Sequence, residues 1–97
     1  MISRLTGILA AKRAPQILID CHGVGYEADV SMTTFYKLPE VGQQISIWTH
    51  LLVKEDSHSL IGFDNEQERK LFRQLIRITG VGPKMALTIL SGIDEQQ

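Results

Sequence analysis

The chain has 97 residues, of which 43% are hydrophobic, and it carries a formal net charge of -1. This length suits one ordinary domain, or one small domain and part of a second. The balanced charge excludes a strongly basic nucleic-acid-binding protein, so any DNA contact must come from an uneven distribution of charge. The single cysteine, Cys21, excludes an internal disulfide framework. We find no run with the length of a transmembrane helix and no signal-peptide pattern, so a cytoplasmic location is expected.

The first two thirds of the chain are predicted to form β-strands, because apolar residues alternate with polar ones or form short β-branched runs. The predicted strands are residues 1–12, 16–20, 24–30, 45–53 and a last strand that ends at Phe63. Gly7 is predicted to mark a bulge in the first strand. Ser31 suits the N-cap of a short helix that stops before Pro39. Five strands with a helix between the third and the fourth have the order of an OB-fold, a small Greek-key β-barrel.

The last third of the chain is predicted to be helical. Asn65 and Glu68 have the spacing of a capping box, which places a boundary near Asp64. The predicted units are a barrel domain at residues 1–63 and a helical segment at residues 64–97.

Two helices are predicted in that segment from the helical period of their apolar residues. The first covers residues 66–78, with an apolar stripe of Leu71, Leu75 and Ile78 and with Phe72 and Ile76 beside it. The second repeats the pattern with Met85, Ile89 and Ile93, flanked by Ala86 and Leu90. Four basic residues of the first helix are predicted to face solvent: Arg69, Lys70, Arg73 and Arg77.

The segment between these helices carries the strongest functional signal. Gly80 suits a left-handed helix C-cap, and Pro83 suits the first position of the next helix. Glycines let a backbone approach a ligand closely, and a helix N-terminus favours an anion. We therefore predict that Gly80, Val81, Gly82 and Lys84 bind a DNA backbone as a helix-hairpin-helix does. The alternative is an αα-hairpin that only needs a tight turn.

Several ordered segments of the chain resemble the RuvA family of bacterial Holliday junction branch-migration proteins. They are GVGYE at 23–27, MTTFY at 32–36, residues 49–56, GF at 62–63, residues 68–75 and GVGPKMALTILS at 80–91. The resemblance implies an OB-fold followed by the first of two helix-hairpin-helix motifs, in a protein without a catalytic site or cofactor of its own. It also implies binding of four-way junction DNA as a homotetramer. The implied partners are the RuvB ATPase motor, through a C-terminal domain outside this chain, and the RuvC resolvase.

Glu55 and Asp56 lie in a predicted turn between two strands. The resemblance implies that they form an acidic pin that projects toward the junction crossover and repels phosphates. From the residues alone, a solvated hairpin turn is the simpler interpretation. A metal-dependent nuclease is a third, with Glu55, Asp56 and either Asp64 or His58 as ligands of a hard divalent ion.

A different nucleic-acid-binding module is a further alternative. In that case Trp48, Tyr36 or Phe35 would stack on bases, although Trp48 and Leu52 also suit a subunit contact. No role is assigned to Cys21 or to the three histidines, which lack the spacing of a zinc site: His22, His50 and His58.

Overall fold

The computed structural model describes residues 2–92, whose five strands form a closed barrel. The strands are β1 (Arg4–Arg13), β2 (Gln16–Cys21), β3 (Val24–Val30), β4 (Gln44–Lys54) and β5 (Ser57–Phe63). The helices are α1 (Met32–Lys37), α2 (Glu66–Leu75) and α3 (Pro83–Ser91). Around the barrel the order is β1-β2-β3-β5-β4, and β4 pairs with β1 to close it. The strands β3 and β5 form a parallel pair. A five-strand barrel with α1 between β3 and β4 confirms the predicted OB-fold.

Alternation along the strands fills the barrel interior with branched aliphatic side chains. Ile17 and Ile19 of β2 point inward, as do Ile45 and Ile47 of β4, and all four are buried. A second apolar cluster lies outside the barrel, between β5 and the helices. It contains Ile61, Phe63, Phe72, Ala86 and Leu90. The helical segment therefore shares its core with the outer face of β5, which fixes it against the barrel.

Gly7 does not mark a bulge, contrary to the prediction. It pairs regularly with Ile45, and the shift in register lies further along β1, between Leu9 and Ala11. A Cβ atom added at Gly7 would lie 2.5 Å from the carbonyl oxygen of Asp20. Glycine is therefore required there because β1 and β2 approach too closely for a side chain.

Both predicted helix caps are confirmed. The Ser31 side chain accepts a hydrogen bond from the Thr34 N–H at the start of α1. The Asn65 side chain accepts one from the Glu68 N–H, with a distance of 2.8 Å. Each side chain satisfies a backbone donor that its helix leaves free.

The first long helix ends earlier than predicted. α2 stops at Leu75, and the chain then continues with tighter bonds, from the Arg77 N–H to the Gln74 carbonyl and from the Ile78 N–H to the Leu75 carbonyl. These bonds span three residues instead of four, as in a 3₁₀ turn. The β-branched residues 76, 78 and 79 favour this end because they are weak helix formers. α3 begins at Pro83 as predicted, whereas Ile93 lies outside the described residues.

The buried faces of the helices are also turned relative to the prediction. In α3, Ala86 and Leu90 are buried, while Met85 is 52% and Ile89 is 38% exposed. In the segment before it, Phe72 is buried and Ile78 is 54% exposed. α3 packs against α1 as well as α2, and the small Ala86 lets the helices approach closely. Packing against an element that is distant in sequence therefore buries the residues beside the predicted stripe instead of the stripe itself.

Candidate nucleic-acid interface

The connection between α2 and α3 is a compact turn that presents glycine backbone to solvent. Gly80 has a φ of +89°, the left-handed conformation that was predicted for it. The Val81 N–H donates to the Ile78 carbonyl at 3.0 Å, which closes the turn. Gly82 follows as the N-cap of α3, with an ordinary φ of -88°.

Gly82 has no internal reason to be glycine. Its φ is accessible to any residue, and an added Cβ would meet no heavy atom within 4 Å. Open space at this position leaves the backbone accessible from outside. This is the environment expected where an external group approaches the main chain.

The N-terminus of α3 offers positive electrostatic potential to the same space. Pro83 occupies its first position, and Gly82 makes no side-chain capping bond. The N–H groups of Lys84 and Met85 have no carbonyl within the helix to bind, because the ladder starts with the Ala86 N–H and the Gly82 carbonyl. Lys84 is exposed beside them. Together these groups can hold one anionic oxygen cluster, such as a phosphate.

Glu55 and Asp56 lie where the sequence predicts them, at the tip of the β4–β5 hairpin. Pairing of the two strands extends to Lys54 and Ser57, so the two acidic residues alone form the loop. Both are exposed. The hairpin therefore carries two carboxylates at the end of a paired ribbon.

The nuclease alternative finds no support in the arrangement of its candidate ligands. Across residues 2–92, no three His, Cys, Asp or Glu side chains are grouped closely enough to hold a metal ion. Asp64 lies 3.7 Å from the Lys37 ammonium. Glu55, Asp56, His58 and Asp64 thus do not converge on one point.

The aromatic residues that could stack on bases differ in accessibility. Trp48 is half-buried, with the guanidinium carbons of Arg4 and Arg69 at 5.3 and 4.8 Å from a ring centroid. Phe35 has the Lys12 ammonium at 5.1 Å from its ring. Tyr36 is 79% exposed. Cations already occupy positions over two of the three rings.

The solvent-facing prediction for the basic residues of α2 is wrong for Arg69 and Arg73. Arg69 is 9% exposed, and its Nη1 donates to the carbonyls of Ser3 and Thr49. Arg73 is half-buried, and its Nε donates to His50 Nδ1 at 3.0 Å. The cause is that α2 lies across the outward face of β4. Outward Trp48 and Leu52 are the sequence signal that an element covers this face.

His50 lies between α2 and β4. Burial lowers its pKa below the usual value of 6.5, and the charges of Arg73 and then Arg69 lower it further. Its ring also lies 5.6 Å from that of Phe72. A neutral imidazole with an unprotonated Nδ1 is therefore the form that accepts the Arg73 hydrogen bond.

The remaining candidates stay unassigned. Cys21 is a half-buried free thiol at the end of β2. His22 is exposed in the turn between β2 and β3, with a φ of +53°. That turn joins the end of β2 at Cys21 to the start of β3 at Val24. None of the helices in residues 2–92 is long and apolar enough to cross a bilayer.

Comparison with known proteins identifies the family. A family model described as the RuvA N terminal domain matches residues 1–62. Three similar proteins are each named Holliday junction branch migration complex subunit RuvA. That of Methylococcus capsulatus is 58% identical over 93 residues, which are 96% of this chain and 46% of that protein. That of Pseudomonas putida is 54% identical over 97 residues, 100% of this chain and 47% of that protein. The Histophilus somni protein is 58% identical over 93 residues, with coverages of 96% and 46%. The chain thus spans about half the length of these relatives, and it belongs to the RuvA family.

Proposed function

We propose that this chain is the part of a Holliday junction-binding subunit that holds DNA by its backbone without reading bases. The observation that carries the proposal is the N-terminus of α3. There Gly82 has open space where a side chain would be, and Lys84 adds a charge beside free N–H groups. We interpret residues 76–91 and the preceding helix as a helix-hairpin-helix. Phosphate contacts of this kind position DNA but carry no sequence information.

Glu55 and Asp56 are proposed to act as an acidic pin at the junction centre. Two carboxylates on an exposed hairpin repel nearby phosphates, and water is partly excluded between a protein and DNA, which strengthens the repulsion. The pin would shape the crossover and would not add affinity.

The wider assignment extends the membership of this chain in the RuvA family. We infer residues 1–63 as the barrel domain and residues 64–97 as the start of a helical domain, of which residues 93–97 lie outside the described part. We also infer assembly into a homotetramer on four-way junction DNA, with a RuvB motor and a RuvC resolvase as partners. In this assignment the chain binds DNA and has no catalytic site or cofactor of its own.

The phosphate contact is tested with Lys84→Ala and Gly82→Val in gel shifts on four-way junction, linear duplex and single-stranded DNA. Lys84→Ala is expected to weaken binding about equally for all sequences and to reduce the salt slope by about one counterion. Gly82→Val is expected to weaken it more, because its side chain fills the space a phosphate would enter. Lys70→Ala, which removes an exposed lysine of α2 paired with Glu66, is the matched control. If both hairpin variants are folded and bind like the parent, the turn is only structural.

The pin is tested by replacing Glu55 and Asp56 with Gln and Asn. Junction affinity should stay equal or rise, because a repulsive contact is removed, while selectivity over linear duplex should fall. Unchanged selectivity at matched salt contradicts the pin and leaves a solvated turn.

A further inference from the structure

A groove separates the turn between β1 and β2 from α3, and each of its two walls carries a cation. The groove has a volume of about 670 Å³. Arg13, the last residue of β1, lines one wall, and Lys84, in the first turn of α3, lines the other. Both residues are exposed. One opening therefore contains a cation from the barrel and a cation from the helical segment.

Hydrogen bonds at the floor of the groove tie its two walls together. The Val30 N–H donates to the Pro15 carbonyl at 2.9 Å, which joins the β1–β2 turn to the end of β3. The Met32 N–H donates to the Ser91 hydroxyl at 2.9 Å, which joins α3 to α1. Val30 and Met32 are only one residue apart, and both line the groove. Because its walls are already fixed, the groove loses little conformational freedom when a ligand binds.

The charged residues that line the groove are two cations and one carboxylate. Within residues 2–92, neither Arg13 nor Lys84 forms an ion pair with an Asp or Glu side chain. The carboxylate belongs to Asp29, which is half-buried on β3 and pairs in register with Gln16. Gln16 in turn pairs with Arg13, so one strand separates the acidic residue from the arginine. The balance of charge in the groove therefore favours an anion.

The path of a DNA strand past Lys84 supplies such an anion. In the proposed function, Lys84 and the start of α3 hold one phosphate. Phosphates follow one another along a strand at a regular spacing, so a second one lies close to the first. Among residues 2–92, no Lys or Arg other than Lys84 and Arg13 lines the groove. A guanidinium can donate two hydrogen bonds to one phosphate, which makes Arg13 a suitable second contact.

We propose that Arg13 binds the DNA phosphate next to the one at Lys84, and that the strand crosses the groove between them. The proposal rests on the proposed function and adds an attractive contact from the barrel to the contact from the hairpin. Phosphate contacts fix the orientation of a protein on a duplex. Two contacts on adjacent phosphates, from two units of the chain, would set the direction in which the duplex leaves the barrel.

The test is the salt dependence of DNA binding by Arg13→Gln, measured by fluorescence anisotropy with linear duplex and with four-way junction DNA. Loss of one phosphate contact should reduce the slope of log association constant against log salt concentration by about 0.9 for both DNAs. Arg13→Lys keeps the charge and should keep the slope of the parent. Lys70→Gln removes an exposed cation that does not line the groove, so this control should also keep the parent slope.

Two further variants test whether the contact lies in this groove. Arg13→Gln combined with Lys84→Ala should reduce the slope by about twice as much as either change alone, because two separate phosphates lose their cations. Asp29→Asn should leave DNA affinity equal or raise it, because it removes a negative charge from the same groove. Thermal unfolding of each variant checks that it is folded.

Four results overturn the proposal. They are a folded Arg13→Gln variant with the slope of the parent, an Arg13→Lys variant that loses as much slope as Arg13→Gln, a double variant with the slope of a single one, and weaker binding by Asp29→Asn. The Lys84→Ala variant separates this proposal from the proposed function. If Lys84→Ala reduces the slope and Arg13→Gln does not, only the barrel contact is wrong. If neither variant changes the slope, both phosphate contacts are wrong.

Discussion

Glu68 and Arg69 are neighbours in α2, both are buried, and their surroundings are opposite in kind. Glu68 is 5% exposed and accepts hydrogen bonds from the hydroxyls of Ser31 and Thr34. Arg69, at 9%, donates to two neutral carbonyls and keeps an unpartnered Nε. The first charge is satisfied by the fold itself, whereas the second is held by the fold and left without a counterion. Glu68 and Arg69 thus show that one helix can bury a charge whose hydrogen bonds are satisfied next to a charge whose hydrogen bonds are satisfied only in part.

The Glu68 region also explains how the helices are attached to the barrel. Thr34 Oγ1 accepts from the Asp64 N–H while it donates to Glu68, and Ser31 accepts from the Thr34 N–H. The start of α1, the exit from β5 and the start of α2 therefore share one hydrogen-bond network. Such a network rigidifies a core only when all its members are satisfied.

Glu68→Ala is expected to have the largest effect on stability. The substitution leaves two buried hydroxyls without their acceptor, and hydrogen bonds to a charged group contribute about 1.5–3 kcal/mol each. We expect the free energy of unfolding to fall by about 3 kcal/mol in urea titrations. Glu66→Ala, which removes a surface ion pair with Lys70, should cost under about 1 kcal/mol. Equal losses for the two glutamates would remove the distinction drawn for Glu68.

Thr34→Val should have the next largest effect. It keeps the shape of a fully buried side chain but removes one donor to Glu68 and the acceptor of the Asp64 N–H. Leaving a buried polar group unsatisfied costs about 1–3 kcal/mol, so we expect a loss of about 2 kcal/mol. Thr33→Val in the same helix is a comparison at a less buried position. A Thr34→Val variant as stable as the parent would show that the network does not hold α1 in place.

Arg69→Met should change stability little at concentrations where the chain is monomeric. Methionine keeps apolar contact with Trp48 and removes a buried charge that has no counterion, so the free energy of unfolding should be unchanged or higher by about 1 kcal/mol. Arg69→Ala should be less stable than Arg69→Met, because it also loses the packing on Trp48. A drop of more than about 2 kcal/mol for Arg69→Met would place Arg69 with Glu68 as a residue needed for folding.

The pH dependence of stability should show the smallest effect. It reports how the charges of Arg73 and Arg69 affect the pKa of His50. Because the pKa of His50 is lower in the folded state than its usual 6.5, the unfolded chain binds the proton more readily. The contribution of His50 to the free energy of unfolding is therefore complete above pH 6.5. It is lost as the pH falls through that value toward the pKa of the folded state. Arg73→Gln removes one cause of the lowered pKa, so stability should fall less steeply over the same interval. An identical pH profile for parent and variant, from thermal unfolding, would contradict this coupling.

Features encoded in short segments were the predictable ones. The five strands, the caps at Ser31 and Asn65, the positive φ of Gly80 and the start of α3 all follow from residues within a few positions of each other. The burial of Arg69 and the exposure of Met85 do not, since they depend on which distant element covers each helix face. Gly82 and Lys84 were predicted from the residues of the turn itself, and both are exposed. Their contact with DNA stays a prediction. The contacts of Arg4 and Arg69 with Trp48 were missed because they bring β1 and α2 together across β4.

The pairing of β4 with β5 up to Lys54 and Ser57 has a mechanical consequence. A hydrogen-bonded ribbon with a two-residue tip resists bending more than a free loop of the same length does. Load applied to Glu55 or Asp56 passes along two strands into the barrel wall, where β4 is also bonded to β1. The tip therefore resists displacement, and a molecule pressed against it would be deflected before the hairpin bends.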